Sequence, residues 1–428
     1  MPDRQLDDTA LLDLVQRQTL RYFWDFAHPT SGLARERSNV AFDYGLETVT
    51  SGGSGMGVMA IVAGVERGWI ERRAAVARLL QSVRFLAKAA SYHGVFPHFL
   101  DGDTGRTIPF SRKDDGADLV ETSYLVAGLL CARQYFAGAE PEERELRGRI
   151  DGLWHDVEWN WHTRDGRDVL YWHWSPNNTW SMNHEIRGWN ECLITYVLAA
   201  ASPRYPIAPE VYHRGWARAG AMANGRAYHG ITLPLGPDFG GPLFFAHYSF
   251  LGLDPRGLKD RYADYWKQNT AHVLINREHC IRNPKQCKGY GADCWGLTAS
   301  DSFEGYSAHA PDNDLGVITP TAALGSFPYA PEHCMSALRH FYYGYGGRLW
   351  SDYGFWDAFS EGRDWVAGSH LAIDQGPIVV MIENHRSGLL WKLFMSCPEI
   401  RQGLARLGFE SPYLASPQAA SPALAAAR

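Results

Sequence analysis

Two stretches of this chain share one design, in which a polar, acid-rich mouth leads into a run with no polar stripe. The first is Ser111 to Phe136, SRKDDGADLVETSYLVAGLLCARQYF. Its opening third carries Asp114, Asp115, Asp118 and Glu121. From Thr122 onward it is apolar on nearly every helical face, which predicts a helix buried all round. Asp114, Asp118 and Glu121 are spaced four and three apart and share one face if the helix covers them. The same residues fit a capping box, with Asp118 as N-cap and Glu121 at N3, and first-turn acids are ordinary partners of the helix dipole. Taken alone, the stretch favours that structural reading over chemistry. The second is Asn183 to Ala201, NHEIRGWNECLITYVLAAA. His184, Glu185, Arg187, Asn190 and Glu191 precede the apolar run Leu193 to Ala201.

The rest of the chain alternates similar buried segments with amphipathic ones. Helices are predicted over Asp8–Phe26, Met56–Glu66, Arg72–Ala90, Arg144–Trp154, Glu210–Ala223, Phe245–Gly252, Leu258–Glu278, Pro320–Phe327, Pro331–Tyr345, Asp374–His385, Leu390–Met395 and Cys397–Leu407. Short extended pieces are predicted at Val95–Phe99, Val169–Trp174 and Ile231–Leu235. Thr48 to Gly57 is expected to be a Gly/Ser loop, either cradling an anion or, the favoured reading, marking a close backbone approach. The acids of Asp101–Gly105 suit a plain turn better than a calcium loop. Gly289 to Pro311 has little periodicity and many aromatic residues. So long an irregular segment inside a domain is usually functional. No linker interrupts the series. The expected fold is all-α, an (α/α)6 toroid with a few short strands, forming one domain over residues 1–410. An Ala/Ser/Pro-rich tail, 411–428, is expected to be disordered.

Composition narrows the functions. The chain has 428 residues, net charge −6 and no basic stripe, which argues against nucleic acid. No apolar run approaches the roughly 20 residues that span a bilayer. The start lacks a signal-peptide core, leaving either a cytoplasmic protein or the mature form of an exported one. Of seven cysteines, Cys280, Cys287 and Cys294 lack a zinc spacing; a disulfide among them and free thiols both stay open. Sixteen Trp and 21 Tyr supply flat faces suited to sugars, or simply a large aromatic core.

Several motifs together resemble the glucoamylase-like domain of glycoside hydrolase family 144: VTSGGSGMGVMAI, DDGADLVETSYLVAGLL, GWNECLITYVLAAASP, SDSFEGYSAHAP, ITPTAALGSFPYAP, YGFWDAF, IDQGPIVVMIEN and SGLLWKLF. They occur in the family's order and cover roughly Asp8 to Phe409. The resemblance implies an (α/α)6 barrel acting on β-1,2-linked glucan with inversion, endo or exo, and needing no metal or organic cofactor. It places the acidic set on Asp114, Asp118, Glu121 and Glu191, with Glu191 similar to the general acid. Desolvation at a helix mouth would keep such an acid protonated. An inverting enzyme needs a second carboxylate to activate water. Asp118 and Glu121 qualify by motif, and Asp374 by its position at another helix mouth. Trp189, Trp295, Phe303, Tyr306 and Trp356 are candidates to stack on pyranose faces. Arg187, His184, Glu304, Gln375 and His309 are candidates to bind sugar hydroxyls. Two other readings stay open: an epimerase or lyase on the same barrel, which would be expected to use histidine bases, and a glycan-binding protein without activity. The oligomeric state is left undetermined.

Overall fold

A computed structural model describes residues 6–40 and 45–415. Among them about half of the residues are helical, and the strands have two to four residues each. Asp8–Trp24 (α1) starts where the Asp7 carboxylate accepts a hydrogen bond from the Ala10 N–H, 2.8 Å, and buries Leu11, Val15, Leu20 and Phe23. Ser51–Glu66 (α2) contains the glycine-rich stretch expected as a loop. Glycine normally weakens a helix interior, but here it allows two backbones to touch. A Cβ on Gly55 would stand 2.1 Å from the Tyr124 carbonyl oxygen, and one on Gly128 2.0 Å from that of Gly55. The close-approach reading therefore holds, within a helix.

Arg72–Leu86 (α3) and Pro141–Asp156 (α5) pack on each other outside Leu119–Tyr135 (α4), which is buried on all sides as predicted. Leu193–Ala201 (α6) is entirely buried and spans the apolar run as predicted; its polar mouth, His184 to Asn190, is irregular, with one bridge from Glu185 to Tyr171. Tyr265–Arg282 (α7), Pro320–Leu324 (α8), Pro331–Arg339 (α9), Ala372–Arg386 (α10), Leu389–Ser396 (α11) and Pro398–Arg406 (α12) follow. The predicted helices Glu210–Ala223 and Phe245–Gly252 are instead short π and 3-10 turns, including Tyr248–Leu251. Among the buried helices, α10 packs on α2, α2 on α4, and α4 on α6. One continuous apolar core runs from Leu11 to Phe409.

The strands form antiparallel pairs that shape loops. Thr48–Thr50 (β1), Phe99–Asp101 (β2) and Thr107–Ile108 (β3) make a small sheet; Ala117–Asp118 (β4) pairs with His173–Trp174 (β5). Four hairpins follow: Ala227–Tyr228 (β6) with Ile231–Thr232 (β7), Ala299–Ser302 (β8) with Gly305–Ala308 (β9), Trp350–Ser351 (β10) with Gly354–Phe355 (β11), and Phe359–Ser360 (β12) with Trp365–Val366 (β13). The supposedly irregular Gly289–Pro311 thus holds the β8–β9 hairpin. The predicted tail begins with an ordered turn, Pro412–Ala415 (α13), and the Tyr413 hydroxyl donates to Asp254, 3.1 Å. Residues 416–428 lie outside the described ones. All seven cysteines are free thiols, and among the described residues no helix is long and apolar enough to cross a membrane.

Candidate active site

Asp118 ends β4 and caps α4, as the capping reading had it. Its Oδ1 accepts from the N–H groups of Val120 (3.0 Å) and Glu121 (2.9 Å) and from the Trp172 indole, 2.9 Å. The other half of the capping box is missing, because the Asp118 N–H goes to the Phe96 carbonyl. Glu121 turns away toward α2, where Oε2 accepts from the Gly52 N–H, 2.9 Å, and from Thr50 Oγ1, 3.4 Å. The first turn of α2 does hold an anion, and that anion is the protein's own Glu121.

The helix does not reach Asp114, so the three acids do not share a helical face. Strand pairing gathers two of them instead. Register places His173 opposite Asp118, and His173 Nε2 lies 3.3 Å from Asp114 Oδ2 and 3.8 Å from Asp118 Oδ2. His98 Nδ1 is 3.1 Å from the same Asp118 oxygen. Burial opposes a charged His98, but Glu121, Asp118 and Asp114 outweigh it and raise its pKa to about 9. Burial likewise pushes Asp118 up, and the hydrogen bond and charge of His98 bring it below the usual carboxylate range. Glu121 is raised, chiefly by burial. Ligand atoms of His98, Asp114 and Asp118 lie within 4.8 Å of one another, close enough for a metal ion. A proton on His98 and a metal ion would compete for the same ring nitrogen, since a metal needs the neutral ring.

Glu191 sits in the turn before α6, half-buried. Its backbone carbonyl accepts from the Ser249 and Tyr124 hydroxyls, which fixes the chain while leaving the carboxyl free of side-chain partners. Burial, then the negative charges of Glu121 and Asp118, raise the carboxyl to about 7. A group so placed carries a proton it can give away near neutral pH.

Asp374, in the first turn of α10, belongs to a second acidic group that the sequence only partly revealed. Arg37 pairs with Glu36 (2.7 Å) and Asp301 (3.0 Å). Ser369 donates to Asp301, 2.5 Å, and the Asp301 N–H to Asp357, 2.8 Å. Tyr306 stands opposite Asp301 in the β8–β9 register. It keeps 47% of its surface open, yet burial still leads the causes that raise its phenol, followed by Asp374, Asp357 and Asp301, as fits an open ring inside a concavity. Tyr248 links the two groups. Its hydroxyl is buried with no hydrogen-bond partner among the described residues, and after burial its phenol feels Asp374, Tyr306, Glu121 and Glu191. Asp301 and Asp357 lie in the motifs SDSFEGYSAHAP and YGFWDAF, but the sequence singled out neither of them, nor Tyr248 or His98; strand register and contacts from 20 to 264 residues apart bring them in.

Several expected sugar contacts lie elsewhere. Trp189 is 4% exposed and stacks between Phe250 and Tyr265. Trp295 is 0% exposed. Both are core, since a ring packed on every side has no face for a sugar. His309 is fully buried too. Gln375 is buried, and its amide donates to the Tyr353 carbonyl, 2.7 Å. Arg187 is exposed and tied to Glu185 and the Arg214 carbonyl. Phe303 is half-buried against Trp365, beneath Arg363. His184 is exposed and stacked on Trp172; Trp356 is half-buried and stacked on His370. Glu304 is exposed at the hairpin tip. A hollow of about 430 Å³ between Thr30, Arg84, Lys88 and Asp103 contains none of the candidate acids. Asp103 is its single lining carboxylate, so the acidic groups and not this hollow mark the site.

A protonated carboxyl and a separate set of carboxyls, both acting on Tyr248, are the kind of equipment a glycoside hydrolase uses. The family model described as "Putative glucoamylase" matches residues 183–398. The chain belongs to this glucoamylase-like family, the family 144 glycoside hydrolases whose motifs it carries. A structure of the same description from Bacteroides uniformis is 61% identical, covers 96% of this chain and 100% of its own, and superposes with a TM-score of 0.93. An endo-β-1,2-glucanase from Chitinophaga pinensis, in complex with sophorotriose and glucose, is 57% identical, with coverage of 95% and 100% and a TM-score of 0.93. A curated relative, the exo β-1,2-glucooligosaccharide sophorohydrolase (non-reducing end) of Parabacteroides distasonis, is 46% identical over 423 residues; the match takes in 94% of this chain and 58% of the relative's length.

Proposed function

We propose that this protein hydrolyses β-1,2-linked glucan with inversion, on a single domain folded as an (α/α)6 toroid. The observation that carries the reading is Glu191. Its carboxyl is raised to about 7 by burial and by Glu121 and Asp118, and it lies in a chain 57% identical to an endo-β-1,2-glucanase along that enzyme's whole length. Glu191 gives its proton to the glycosidic oxygen. Water attacks the anomeric carbon from the other face and yields its proton to the Asp374 side. Asp118 stays ionised with its oxygens already occupied by three donors and His98, so it shapes the field around Glu191 and does not take a water proton. Glu121, bound to the start of α2, acts in the same way. Tyr306, Trp356, Phe303 and His184 are the open or half-open rings available to sugar faces. The buried Trp189 and Trp295 are left out.

Endo action is favoured by identity, 57% to the endo-acting structure against 46% to the exo-acting relative. The test is incubation with linear β-1,2-glucan beside other β-glucans and starch. A ladder of β-1,2-oligosaccharides is expected. Sophorose alone would make the enzyme exo-acting, and no release from the β-1,2 polymer would remove the substrate assignment. Glu191→Gln separates an enzyme from a mere binder: turnover is lost while glucan affinity persists.

A further inference from the structure

Asp301, Asp357, Asp374 and Glu36 are gathered around one guanidinium, that of Arg37. Four acids facing one cation cannot all be ionised when buried. The hydrogen bonds show where the deficit falls. Glu36 and Asp301 each receive Arg37, and Asp301 also receives Ser369. Asp357 has one donor, the Asp301 N–H, on Oδ2, which leaves Oδ1 buried without a partner. Asp374 has none, and both its oxygens are buried and unmatched when the two acids are counted as anions. Yet Asp357 and Asp374 lie within hydrogen-bonding reach of each other. A bond between two carboxyls requires a proton on one of them, and that proton gives Asp374 a partner among the described residues.

We infer that Asp357 and Asp374 share one proton and that this pair, not Asp374 alone, receives the proton of the attacking water. The inference rests on the hydrolytic reading above and names Asp357 as the positioning partner of Asp374. In the resting state the pair holds one proton and one negative charge. Water adds to the anomeric carbon as the glycosidic C–O bond breaks. Glu191's proton goes to the departing oxygen and the water's second proton goes to the pair, which becomes neutral. One proton then returns through solvent to Glu191, restoring both groups. The charged and titratable neighbours act consistently. Arg37 favours the negative charge, Asp301 and Glu36 oppose a second one, and the phenols of Tyr306 and Tyr248, raised by burial and these acids, remain neutral. Such a pair titrates as a unit, as in enzymes whose two carboxyls share a proton.

The test compares wild type, Asp357→Asn, Asp357→Glu and Asp374→Asn with two readouts. The first is the infrared C=O band of protonated carboxyls at neutral pH, taken on protein alone. A shared proton predicts a band that weakens in both Asn variants and persists in Asp357→Glu. The second is the pH dependence of kcat/KM on linear β-1,2-glucan. In Asp357→Asn an amide donates to Asp374 and favours its ionised form, so the acidic limb should move down by about one pH unit or more, with reduced turnover. An unchanged band and limb in Asp357→Asn would overturn the pairing. Absence of hydrolysis by wild type would overturn the function but not the infrared result, so the two failures are distinguishable.

Discussion

A glutamate without a side-chain partner is unusual in so acidic a setting, and Glu191 shows why it is tolerated. Its charge is opposed by Glu121 and Asp118, so it is most at ease when protonated. Glu191→Gln keeps the shape and removes the proton, and is expected to lower kcat by about 10³-fold, within the range for loss of a general acid. Because burial disfavours the ionised form in the folded state, the variant should melt no lower than wild type at pH 8. His98 works the other way. Its folded pKa is about 9 against 6.5 for an unperturbed histidine, so its pairing with Asp118 stabilises the fold fully below pH 6.5 and fades as pH rises through 9. His98→Gln should cost about 2 kcal/mol at pH 6 and much less above pH 9. Urea midpoints at the two pH values check this.

At the scale of elements, the α2–α4 contact is made by glycines. Gly128→Ala would press a methyl group to 2.0 Å from the Gly55 carbonyl oxygen, with backbone on both sides and nowhere to yield. A loss of about 3 kcal/mol or more is expected in chemical denaturation. Gly148→Ala in the exposed helix α5 meets nothing within 4 Å and should stabilise by about 0.5–1 kcal/mol. The contrast shows what could be read from the chain. Helices with a continuous apolar run, such as α4 and α6, were legible because burial on every side leaves no polar stripe. Glycine in the first turns of α2 hid a helix, since its propensity points to loop and only a partner backbone explains it. The acids Asp118, Glu121, Glu191 and Asp374 were visible as helix mouths. Their histidine partners, and Asp301 and Asp357, were not, because register and distant loops bring them in. Trp189 and Trp295 show the same limit in reverse, since an aromatic residue beside a site motif is indistinguishable in sequence from one filling the core.

For the molecule as a whole, the proposed mechanism requires opposite protonation at the two acidic groups. Glu191 must keep its proton, and its pKa of about 7 sets a falling limb on the alkaline side. The Asp357–Asp374 pair must have lost one proton, which sets a rising limb on the acidic side. A narrow bell in kcat/KM centred near neutrality or slightly below is expected on linear β-1,2-glucan. Glu191→Gln should leave only the residual turnover, about 10³-fold lower, without the alkaline fall.

The second acidic group also joins distant parts of the chain. Arg37 bonds to Asp301 and its backbone bridges to Leu371, while the Ser38 N–H donates to the His370 carbonyl, 3.0 Å. These links close a loop of more than three hundred residues, and closing so long a span is slow. During refolding from denaturant, helical signal should therefore return well before glucan cleavage, and the lag between the two would time the moment at which the ends of the polypeptide meet.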